Sequence, residues 1–165
     1  MGAPIQNQTP RAPEPADGTE RKLLLGWLGF YRDALDTSCA GLTDDELTLP
    51  AAWPSPLSLH SLVRRLTDLE RTFLVRALGG ETEPEADTAP AFELLHPGEA
   101  QTALATWRAE RARADALLTS GRLTDKSPGN GRSLRWNLMK VITEYARQAG
   151  HAELLRARID GRISG

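Results

Sequence analysis

The sequence predicts an all-α fold, a four-helix bundle. Four long stretches carry apolar side chains at three- and four-residue spacing, and no segment alternates with period two for long. Helix-opening Ser and Thr residues and helix-ending glycines also frame these stretches. Four amphipathic helices bury their stripes best against one another.

The elements follow in order. Residues 1–18 hold four prolines and almost no large apolar side chain, so they are expected to form a disordered tail. The domain is expected to span 19–165. Thr19 is the N-cap of a first helix in which Leu24, Trp27, Leu28, Tyr31 and Leu35 recur at helical spacing, with Gly41 as its stop. Thr43 to Glu46 reads TDDE, the form of a capping box opening one short turn of helix. Pro50, Pro54 and Pro56 then impose an extended connection. Ser58 opens the second long helix, striped by Leu59, Leu62, Val63, Leu66, Leu69, Phe73 and Ala77 and closed by Gly79-Gly80. Residues 81–97 are acidic, proline-bearing and without period, which predicts a surface loop. A third helix runs from about Gly98 to Leu118 through Leu104, Trp107, Arg111, Ala114 and Leu117. After SPGNG (Ser127 to Gly131), Ser133 opens the fourth, with Leu134, Leu138, Val141, Tyr145, Ala152, Leu155 and Ile159 on one face. Gly150 interrupts it, and a bend or a close helix contact is the expected reason. The connections from first to second and from third to fourth helix are long enough for crossovers.

At 165 residues the chain is one ordinary domain, and 40% apolar with 25% charged residues is a globular composition. A formal charge of −2, without a basic stripe, speaks against nucleic acid as a partner. No apolar run approaches the ~18 residues of a membrane span, and the N-terminus has no secretory h-region, so a cytoplasmic protein without membrane contact is expected. Cys39 is the single cysteine, which excludes an intrachain disulfide, and it reads as a small packing residue.

The candidate chemistry lies on the fourth helix. Glu144, Gln148 and His151 fall at i, i+4 and i+7, and with Lys140 they form a polar seam at one edge of the apolar face. Arg65 lies at the corresponding edge of the second helix, so Arg65, Glu144 and Gln148 are expected to meet at the mouth of the bundle. Trp53 and Trp136 are candidates for lining that mouth as ligand-binding residues. The bland reading of the seam is a structural ion pair filling a vestigial cavity. That of His151 is helix packing, and Glu70 reads as a salt-bridged structural glutamate beside Arg71.

The stretches SLSLHSLVRRLTDLER and SLRWNLMKVITEYARQAGHAELLRARIDG resemble the DinB-like superfamily over about Thr19 to Gly161. The similarity is greatest to an actinobacterial branch of unknown function related to the mycothiol-dependent transferases and maleylpyruvate isomerase. The resemblance implies a divalent metal, often zinc or nickel, held inside the bundle by a histidine of the second helix and a glutamate and histidine of the last. Those positions are Arg65, Glu144 and Gln148 here, and a further histidine of the pattern is Lys140. Arginine cannot coordinate a metal and Gln148 offers a weak neutral oxygen, so neither a metal nor another cofactor is expected. His151, His60 and His96 have no spacing that builds a displaced site. The leading expectation is a degraded metal site in a cleft that holds or acts on a small molecule, a thiol conjugate or specialised metabolite. If the protein is an enzyme, Arg65 and Glu144 stabilise charge with His151 in support. Two alternatives stay open. One is a non-catalytic binding or sequestering protein, or a partner that dimerises, a homodimer included. The other is a metal-dependent mycothiol S-transferase-like enzyme.

Overall fold

A computed structural model describes residues 13–81 and 98–161. Most of the expected tail, nearly all of the expected acidic loop and His96 lie outside the described residues. The described chain is helical, with no strand and a single isolated bridge between Lys126 and Ser133. Its helices are α1 (Glu20–Cys39), α2 (Asp44–Thr48), α3 (Leu59–Glu70), α4 (Ala77–Gly79), α5 (Glu99–Leu117) and α6 (Leu134–Ile159). A π-helical stretch, Arg71–Arg76, joins α3 to α4, so these three form one rod.

The capping signals act as the sequence predicts. Thr19 accepts from the Lys22 N–H and Ser133 from the Trp136 N–H. Thr43–Glu46 and Ser58–Ser61 both close reciprocal capping boxes. Gly80 ends the rod at φ +79°, a left-handed conformation that glycine adopts without steric cost.

Cross-helix pairs give the helix directions. Glu20 bonds Arg135 at the start of α1 and α6, while Arg156 donates to the Ser38 and Ala40 carbonyls at their ends, so α1 and α6 run parallel. Arg65 faces Glu144 while Phe73 faces Trp136, so α3 and α6 run antiparallel. Asp36 pairs with Arg108 and Arg32 with Asp115, so α1 and α5 run antiparallel as well. The bundle is therefore up, down, down, up. The α1–α3 and α5–α6 connections each join ends at the same pole. Gly80 and Gly98 lie at opposite poles.

Leu28, Leu35, Leu62, Leu66, Leu104, Trp107, Leu138, Val141, Tyr145 and Leu155 form the centre of the core. Two sequence expectations shift. Leu69, near the end of α3, and Phe73, inside the π turn that begins at Arg71, are only partly buried. Gly150 makes no close contact: a Cβ built there meets nothing within 4 Å, and α6 runs unbroken through it. Gly129 is the glycine that packing requires. Its N–H donates to the Ala77 carbonyl at 2.9 Å, and a Cβ would lie 2.5 Å from the Arg76 carbonyl oxygen.

Candidate functional site

Where α3 and α6 pass each other, the fold brings Arg65 and Glu144 together. Arg65 Nη2 lies 3.8 Å from Glu144 Oε2, with the arginine side chain 52% exposed and the glutamate side chain 11%. Lys140, one turn earlier on α6, reaches Glu144 Oε1 at 3.3 Å, and Arg147 approaches the same oxygen at 3.8 Å. One carboxylate thus stands among three cations. Its Oε2 is buried and accepts no hydrogen bond from any described residue. Burying such an oxygen without a donor costs about 1–3 kcal/mol.

Gln148 is buried one turn beyond Glu144, and its Oε1 lies 3.2 Å from His151 Nδ1. His151 itself is on the exposed surface of α6 and turns towards the glutamine, instead of packing between helices. Trp136 lies further down the same helix, 6.0 Å from Phe73, whose ring has Lys140 Nζ 5.9 Å from its centroid. Trp53 stands apart on the α2–α3 connection, 88% exposed, its ring open to solvent.

The donor set does not fit a divalent metal. A dication needs anionic or lone-pair donors, whereas Arg65 brings a fixed positive charge to the position a ligand would take. Glu144 is already surrounded by cations, and the Gln148 oxygen faces His151. Among the described residues no group of three His, Cys, Asp or Glu side chains is arranged to hold a metal ion. Near the α2 end of the bundle, His60 is buried with Nδ1 unpartnered, and Asp44 Oδ1 is buried and unpartnered too. Burial, and then Arg64, hold the His60 pKa below its usual value against the opposing pull of Glu99 and Asp44, so its imidazole stays neutral at pH 7.

A second polar cluster, deep in the core, was not expected as a unit. Arg32 Nε and Nη2 donate to the two oxygens of Glu70, each at 2.7 Å, and Arg32 Nη1 donates to Asp115 at 2.6 Å. The Tyr145 hydroxyl donates to Glu70 Oε1 at 2.8 Å and accepts from the Trp107 indole N–H at 2.7 Å. Glu70 is indeed salt-bridged, but to Arg32 across the bundle, while the neighbouring Arg71 pairs with Asp68 and Glu110. Burial, reinforced by the Glu70 charge, pushes the Tyr145 pKa well above that of an ordinary phenol, so the hydroxyl stays protonated and remains a donor. A signal existed in the sequence: Arg32 falls four residues after Leu28 and three before Leu35, inside an apolar stripe where a lone cation needs an anion. Cys39 is buried, and burial together with Asp36 lifts its thiol to about 12, which suits a packing residue.

A family model described as mycothiol S-transferase matches residues 23–161 of this chain. Neither the curated proteins nor the solved structures contain a significant match.

Proposed function

The chain belongs to the mycothiol S-transferase family, and from that premise we propose that it binds an anionic small molecule between α3 and α6 without a metal ion. A thiol conjugate of the kind the family name implies is the first class to test. Arg65, Lys140 and Arg147 supply the positive wall, and Glu144 Oε2 accepts one hydrogen bond from the ligand. The buried, unpartnered oxygen of Glu144 carries this reading, because a ligand donor placed there removes a cost the empty seam bears. Binding is favoured over turnover because the imidazole nearest the seam, His151, sits exposed on the surface of α6 with its Nδ1 against Gln148, where water is not excluded from it. The metal-activated thiolate attack suggested by the family has no residues here to support it.

Calorimetry with a mycothiol S-conjugate tests the binding, and elemental analysis of protein purified without chelators tests the metal. The expected results are saturable binding that Arg65→Ala abolishes, and zinc far below one per chain. The paired substitution Arg65→His and Gln148→His restores the ligand set of the pattern and should raise zinc to about one per chain. Stoichiometric zinc in the unsubstituted protein would overturn the reading.

A further inference from the structure

Resting on the reading above, we propose that Lys140, Phe73, Trp136 and Arg132, with Met139 beside them, form a platform for the planar apolar part of an aromatic carboxylate or aromatic-bearing anion. The charged end of that ligand lies at Lys140 and Arg65.

The contacts run without a gap. Lys140 Nζ is 3.3 Å from Glu144 and 5.9 Å from the Phe73 ring centroid; Phe73 is 6.0 Å from Trp136; and Arg132 lies 5.1 Å from the Trp136 ring centroid. The row begins at Glu144 Oε1, the partnered oxygen of the carboxylate whose Oε2 has no donor. Trp136 is 41% exposed, Met139 one turn after it on α6 is 45% exposed, and Phe73 is partly buried, and large apolar side chains left at the surface in one place mark a surface that takes something. The π turn contributes as well. Phe73 lies within it, partly buried and tilted at 54° against Trp136.

Charge selects the occupant. Arg132 stands at one end, and Lys140, Arg65 and Arg147 at the other, with Glu144 as the acid they share. Rings held beside cations accept a further aromatic face by stacking, and the cations hold its carboxylate. A second copy of the chain on this face would bring its own cations against these, so self-association does not suit it.

The probe is 2-naphthoate, with acetate as its ringless counterpart, followed by ¹H–¹⁵N spectra in which loss of one signal in Trp136→Leu identifies the Trp136 indole. The expected result is a saturable shift of that indole and of the Arg65 side chain by 2-naphthoate. Trp136→Leu should weaken naphthoate about tenfold, the upper range for one aromatic contact, and leave the response to acetate unchanged. Lys140→Gln should weaken both. Naphthoate shifts at Arg65 with an unmoved Trp136 indole, or unchanged affinity in Trp136→Leu, would sink the platform and leave the proposed function standing. No shift at either residue, together with no binding of the mycothiol conjugate, would sink both. Naphthoate-dependent pairing of chains in sedimentation would assign the face to a second copy and overturn the platform.

Discussion

Two of the arginine–glutamate pairs in this bundle, Arg32–Glu70 and Arg65–Glu144, are built to opposite ends. Arg32 and Glu70 meet in bidentate geometry at 2.7 Å, both buried, and Tyr145, Trp107 and Asp115 complete the bonding around them. Arg65 and Glu144 stop at 3.8 Å, with the arginine half in solvent and one carboxylate oxygen without a donor. The first pair is saturated, so nothing can be added to it and little can be removed. The second is open, and its unused oxygen, with three cations sharing one carboxylate, is what a ligand needs. Burial and a full set of partners separate a structural ion pair from a receptive one; the residue types alone do not.

The comparison breaks or sharpens under three substitutions. Glu70→Ala leaves Arg32 charged, buried and without its main partner, so it should cost about 3–5 kcal/mol in urea unfolding. A cost within the range of a surface residue would show that the core network is not saturated as described. Tyr145→Phe removes one hydroxyl that donates to Glu70 and accepts from Trp107. About 1–3 kcal/mol should be lost, with the far-ultraviolet spectrum intact. Arg65→Ala should change stability by only about 0–1 kcal/mol, since a half-exposed pair is screened by water. Its effect should fall on ligand affinity, and a large loss of stability there would make the two pairs the same kind of object.

Much of this was legible in the sequence. The caps at Thr19, Thr43, Ser58 and Ser133, and the stops at Gly41 and Gly80, are local signals, and the helices begin and end beside them. The Arg65–Glu144 encounter needed only the edges of two apolar stripes. The core network was harder, because Arg32 and Glu70 are 38 positions apart and Tyr145 a further 75, and no short spacing records such a pairing. The π turn was invisible for another reason. No proline or glycine marks Arg71 to Arg76, and the apolar pattern there reads as ordinary α-helix.

The parallel seating of α1 beside α6 bears on how the chain reaches this state. Its first and last helices are mutual neighbours, tied by bonds across 115 and 118 positions, from Arg135 to Glu20 and from Arg156 to Ser38. Contacts across such separations demand a large loop closure before they return any stability, so folding should be slow for an all-helical domain. On the ribosome, α1 must wait with its apolar face uncovered until the last helix has emerged. Tyr145 arrives with that helix, so the bonding around the buried pair of Arg32 and Glu70 is completed only once α6 has emerged.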